Sequence, residues 1–177
     1  MNSNQNPCCG QMEESVSVLK VALYHPDHNC GIFQGIPDQI KCTMDNLYIG
    51  RGPQCNVTLK HQQVSRCHLQ LEPYMRKQVP YLQFSLKNLS NKHSVTVNGL
   101  QLQYLQQITL TSSNRIIFCG IQMVIELDFG MSTANFLCCF TFSESPLIQN
   151  YKPEESDEHE TIAVHQQLTK NQIANTF

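Results

Sequence analysis

Punctuation is what most constrains this chain. From Val16 to Phe142 the apolar residues come in short runs, each closed by Gly, Pro, Asn, Asp or Ser. The runs are Leu47–Ile49, Val57–Leu59, His68–Leu71, Leu82–Leu86, Val95–Val97, Gln107–Leu110, Arg115–Cys119, Gln122–Leu127 and Phe136–Phe142. Ahead of them Ser17, Leu19, Val21 and Leu23 alternate with Val18, Lys20, Ala22 and Tyr24, which is the period of a strand. Turn formers separate the runs at Gly50, Gly52-Pro53, Asn88 to His93, Asn98-Gly99, Ser112 to Asn114, Gly120 and Gly130. Strands about 8–12 residues apart with turns between them predict a β-sandwich of about 10–11 short strands. Asn98-Gly99 is a hairpin signal, since both residues tolerate positive φ. No core segment carries a sustained 3.6-residue period, so the chain reads as all-β with few helices.

Length and charge divide the chain. Its 177 residues, 41% of them hydrophobic, suit one core with tails. Residues 1–15 are small and polar and read as a disordered tail, residues 16–148 as the sandwich, and residues 149–177 as an acidic, then polar, disordered tail. Residues 154–160, EESDEHE, hold five carboxylates. Without them residues 1–153 carry eleven basic and nine acidic side chains, so the net −2 of the whole chain comes from this stretch. That balance argues against a strongly basic nucleic-acid binder. No apolar run approaches the length of a membrane-spanning helix, so no membrane partner is expected. The segment MNSNQNPCCGQMEES lacks a basic region and an apolar stretch, which predicts no secretion signal. Nine cysteines, an odd number, then read as reduced thiols of a cytoplasmic protein. No Cys/His set has zinc spacing, and neither a metal nor another cofactor is expected.

Chemistry concentrates at the strand ends. Gly50-Arg51, Val64-Ser65-Arg66-Cys67-His68, Lys87-Asn88-Leu89-Ser90 and Val97-Asn98-Gly99 each sit beside a turn. Sandwich loops cluster at the ends of the sheets, so such residues can converge on one patch. A guanidinium (Arg51), a hydroxyl (Ser65), an ammonium (Lys87) and an amide (Asn88) suit a dianionic oxyanion. A phosphorylated side chain, with about −1.5 to −2 charge and three acceptor oxygens, is such a group. Cys67 and His68 are neighbours on a strand and face opposite ways, which disfavours a Cys–His catalytic pair. Without G-x-S-x-G, H-E-x-x-H or a Walker loop, no catalytic residue and no enzyme activity is expected.

The order G-R, S-x-x-H, V-N-G at strand ends resembles the forkhead-associated (FHA) domain, a β-sandwich that reads phosphothreonine. The stretches VALYHP, GIFQ, IGRG, QVSR, LKNLS, LQYLQQ and SPLIQ resemble the family of TRAF-interacting proteins with an FHA domain. SRCHLQLEPY, VNGLQLQYL, NRIIFCGIQM and SPLIQNYKPEESDEHE look closer to the B form of that family than to its A form. The resemblance runs from about Val16 to Glu160. It implies a cytosolic adaptor of innate immune signalling. The A form assembles TRAF ubiquitin ligases and activates NF-κB, and the B form restrains that activity. The implied partners are a paralogous adaptor of the A form (TIFA-type), a phosphothreonine peptide and a TRAF-family ubiquitin ligase.

By the same resemblance Arg51, Lys87 and Asn88 match phosphopeptide-reading positions, together with the S-x-x-H serine, Ser65. Gly50 shapes the loop and His68 is the structural histidine that supports it. Two places depart from the pattern. Where FHA domains carry S-x-N-G-T, this chain has Ser90-Asn91-Lys92-His93-Ser94 in a loop one residue longer. Where the activating form carries a phosphorylatable Thr before Glu-Glu, this chain has Met12-Glu13-Glu14. Pro153, Glu155 and Glu158 fit P-x-E-x-x-(aromatic or acidic), a TRAF-binding pattern in which an extended peptide adds to a sheet edge. The alternative for that stretch is a solvating acidic tail. The alternatives for the chain as a whole are a partner that blocks assembly of the related adaptor sterically, without reading phosphate, and a direct TRAF-binding activator acting through the 153–158 motif.

Overall fold

The computed structural model describes residues 15–149. Twelve strands follow one another: β1 (Ser17–Tyr24), β2 (Gln39–Thr43), β3 (Leu47–Gly50), β4 (Val57–Thr58), β5 (Leu69–Tyr74), β6 (Gln83–Asn88), β7 (Val95–Val97), β8 (Leu100–Leu102), β9 (Gln107–Thr109), β10 (Ser113–Phe118), β11 (Ile121–Asp128) and β12 (Asn135–Phe142). One 3-10 turn, His28–Cys30, is the only helical element among the described residues. The all-β expectation therefore holds, with twelve strands in place of 10–11. The two that no apolar run marks, β2 and β8, lie at the two edges of the larger sheet. Edge strands bury little, and Gln39–Thr43 has no fully buried residue, so no apolar alternation marks it.

The strands form a seven-stranded sheet, in the order β2-β12-β1-β11-β10-β7-β8, and a five-stranded sheet, β4-β3-β5-β6-β9. β1 lies between β11, antiparallel with Leu19 opposite Leu127, and β12, parallel with Leu19 opposite Cys138. Alternation does the sorting. In β5 Leu69, Leu71 and Pro73 point inward, while Gln70, Glu72 and Tyr74 are half-exposed. In β1 Leu19, Val21 and Leu23 are buried. The inward faces of the two sheets meet in one core, where the rings of Phe84 (β6) and Phe136 (β12) pack edge-on with centroids 5.1 Å apart. Burying a side chain of this size is worth about 1.5–3 kcal/mol.

Tight turns set the register. Asn98 and Gly99 both adopt positive φ, 50° and 84°, and close the β7–β8 hairpin, as the sequence pattern expects. Cys119 and Gly120 do the same between β10 and β11, with φ 49° and 76°. Cys119 therefore belongs to the turn and not to the preceding strand.

Candidate functional site

Three connections converge at one end of the five-stranded sheet: the β3–β4 turn, the β4–β5 loop and the β6–β7 loop. Backbone bonds tie them together. Arg51 N–H donates to Ser65 O (3.0 Å), Gly52 N–H to Arg66 O (2.9 Å), His68 N–H to Ile49 O (2.9 Å) and Leu89 N–H to His68 O (2.8 Å). Gly50 permits this approach: a Cβ there would stand 2.5 Å from Arg66 O and 2.9 Å from Ser65 O, closer than real contacts allow.

His68 is the post behind the loop. Its ring is fully buried beside Phe118, with centroids 4.9 Å apart, and its Nδ1 accepts the Ser65 N–H at 3.1 Å. That bond requires Nδ1 to be unprotonated. Burial, with the neighbouring His93 adding to it, lowers the His68 pKa to about 4, so the ring is neutral at pH 7. Its Nε2 has no hydrogen-bond partner among the described residues.

Asn88 is also an internal organiser. It is fully buried, and its Nδ2 donates to His93 O and Leu102 O, both at 3.0 Å, while its Oδ1 accepts the Ser90 N–H at 2.8 Å. Three of the four hydrogen-bond positions of the amide are therefore spent inside the domain, two of them on the Ser90–His93 loop. Ser90 Oγ accepts the backbone N–H groups of Lys92 (3.4 Å) and His93 (3.1 Å) and lies 2.8 Å from Ser65 Oγ. The two hydroxyls share one hydrogen bond in which either can be the donor.

These loops enclose a groove of about 530 Å³, lined among others by Arg51, Ser65, Arg66, Asn91, Lys92 and His93. The lining brings three cationic side chains to one concavity and includes no carboxylate. Among the described residues the one ion pair is Lys20–Asp128, at 2.7 Å on the other sheet. Arg51, Arg66 and Lys92 thus have no carboxylate partner there. Arg supplies a planar fork of donors and Lys a movable point charge, a set that favours a multiply charged oxyanion over a single carboxylate.

The sequence-derived residues are placed unequally. Arg51 and Ser65 line the groove, and Gly50 and His68 hold its walls. Lys87 and Asn88 do not line it. Lys87 is half-buried on β6, in register with Gln70 on one side and Gln107 on the other. Asn88 turns inward, because β6 alternates and Phe84, Leu86 and Asn88 share its buried face. Sequence reasoning missed Arg66 and Lys92. The signals were present, since Arg66 follows Ser65 and Lys92 stands in the lengthened loop. Pro153, Glu155 and Glu158, like Met12, lie outside the described residues.

Comparison with known proteins fits this geometry. A model of the FHA domain matches residues 47–119, from the start of β3 to the β10–β11 turn, a span that contains every loop of the groove. The human TRAF-interacting protein with FHA domain-containing protein B is 43% identical over 152 residues, which cover 86% of this chain and 94% of that one. The chain belongs to the family of TRAF-interacting proteins with an FHA domain. Within the family, the rat B protein is 45% identical, covering 83% of this chain and 100% of the relative. The mouse A protein is 31% identical, with 77% of each chain covered. The B-type resemblance thus stands on most of the chain. Membership makes the chain an FHA adaptor, a binding module by class.

Proposed function

We propose that the groove binds a phosphothreonine peptide, and that the chain is a non-catalytic adaptor of the cytoplasm. In this reading it engages the A-type paralogue and restrains TRAF-dependent NF-κB signalling in innate immunity. The supporting observation is the convergence of Arg51, Arg66 and Lys92 with the Ser65 hydroxyl in a concavity lined by no carboxylate. Arg51 takes two phosphate oxygens through its fork, Lys92 and Arg66 neutralise the remaining charge, and the Ser65 hydroxyl donates to the phosphate while accepting from Ser90 Oγ. Asn88 acts through the loop it holds, and Lys87 adds positive potential from outside the wall. Met12 has no hydroxyl to phosphorylate, so the phosphothreonine read is one this chain does not itself carry at that position. Contact with a TRAF ligase through Pro153, Glu155 and Glu158 belongs to the same proposal, and Glu155→Ala tests it by loss of TRAF binding with paralogue binding intact.

Fluorescence anisotropy with a phosphothreonine-Glu-Glu peptide and its unphosphorylated twin tests the groove. The expected result is phosphate-dependent binding, weakened at least tenfold in Arg51→Ala. Equal binding of the two peptides, or unchanged affinity in the variant, refutes it. A second reading, a steric partner indifferent to phosphate, draws support from the Ser65–Ser90 bond, which already engages the loop hydroxyl. Co-precipitation with the paralogue that survives both phosphatase and Arg51→Ala would favour that reading.

A further inference from the structure

Two cysteines distant from each other in the sequence meet behind the groove wall. Cys55, in the β3–β4 turn, and Cys67, just before β5, place their sulfurs 3.9 Å apart, and both are free thiols. Cys55 Sγ also donates to Arg66 O at 3.0 Å, the same carbonyl that accepts Gly52 N–H at 2.9 Å. The Arg66 carbonyl is therefore a shared anchor: a thiol and an amide from one loop hold the residue whose side chain lines the groove. Cys55 N–H in turn donates to Gly52 O at 3.1 Å, so the turn is a closed unit that moves with its sulfur.

We propose that Cys55 and Cys67 form a reversible disulfide under peroxide, and that this bond re-sets the Ser65–Arg66 wall of the groove. A disulfide S–S bond is about 2.05 Å long, so the sulfurs must close by roughly 1.9 Å from their present separation. The closure withdraws the Cys55 S–H from Arg66 O and pulls on the peptide between Arg66 and Cys67. Cys67 is the more exposed thiol and meets the oxidant first. Its sulfur attacks one oxygen of hydrogen peroxide, water leaves, and a sulfenic acid forms. The Cys55 sulfur displaces the sulfenic hydroxyl, which departs as a second water with the Cys55 proton. In total, two thiols and one peroxide give one disulfide and two waters, and a dithiol reductant reverses the change. In a reducing compartment a bond of this kind is a transient signal and not a structural staple.

The chain offers a clean readout. Cleavage after Arg51, Lys60, Arg66 and Arg76 puts Cys55 in peptide 52–60 and Cys67 in peptide 67–76. After treatment of the full chain with stoichiometric hydrogen peroxide, mass spectrometry should find these two peptides joined, and separated again by dithiothreitol. NMR-detected amide exchange of the oxidised chain should show Gly52 N–H, whose acceptor is the Arg66 carbonyl, exchanging at least tenfold faster. Cys55→Ser keeps a donor to Arg66 O and should abolish both effects; Cys67→Ser should do likewise and serves if the first variant folds poorly. Peptides 52–60 and 67–76 remaining unlinked while other cysteines oxidise would overturn the cross-link. Linked peptides with unchanged Gly52 exchange would overturn the resetting of the wall. Neither readout involves a ligand, so this inference and the phosphate reading can fail separately.

Discussion

Lowering the pH from 7 to 5 should cost the fold about 2 kcal/mol through His68 alone. The ring titrates at about 4 in the folded chain and at 6.5 without the fold's influence. Between those values the unfolded chain binds a proton that the native chain does not, so stability rises with pH across the window and falls as acid is added. Above pH 6.5 the cost is small. It grows through pH 5 and levels off below 4, where the full shift is worth at most about 3.4 kcal/mol. Protonation also removes the acceptor for Ser65 N–H, so the groove should loosen before the whole domain unfolds. Urea denaturation at a series of pH values, for the native chain and for His68→Gln, isolates the effect. The variant should lose about 2 kcal/mol less than the native chain between pH 7 and 5. Parallel losses in the two proteins, or a His68 ring signal titrating near 6.5 by NMR, would refute the reasoning.

Three further outcomes follow from the loops. Gly50→Ala forces a Cβ against the carbonyls of Ser65 and Arg66 and should destabilise the domain by about 3 kcal/mol in urea titration. Asn88→Ala strands two carbonyls and one amide in the interior and should cost about 3 kcal/mol, and its phosphopeptide affinity should drop through the disordered loop and not through lost contact. Lys92→Ala should weaken phosphopeptide binding roughly fivefold to tenfold, while Lys87→Ala, outside the lining, should change it less than twofold, both measured at low salt.

The sandwich was legible because its central strands alternate. Leu69 to Tyr74 and Ile121 to Asp128 carry the two-residue period plainly, and the core follows from it. β2 carries no such signal and β8 only that of its Asn98-Gly99 turn, since an edge strand with one solvated face and few partners leaves little apolar signature. The site divides in a similar way. That Gly50, Arg51, Ser65 and His68 gather at one end of the sheet could be read from their order at strand ends. The motif places Asn88 among the phosphopeptide-reading positions, but a motif position carries no side-chain direction. The same two-residue period, applied from Phe84 through Leu86, would have turned it inward. Arg66 and Lys92 lie in loops without periodicity, where only the folded path decides which side chain faces the groove.

The placement of β1 sets the order of events during synthesis. Leu19 finds its neighbours at Leu127 and Cys138, more than a hundred residues later in the chain. Contacts so distant along the sequence are closed late and slowly. At about 5–20 residues per second, a ribosome takes roughly 6–24 s to deliver the stretch from Tyr24 to Phe142. For most of that interval neither neighbour of Leu19, Val21 and Leu23 exists, since β11 is complete only at Asp128 and β12 only at Phe142. The nascent chain therefore passes through a sticky, half-made state before the domain can close.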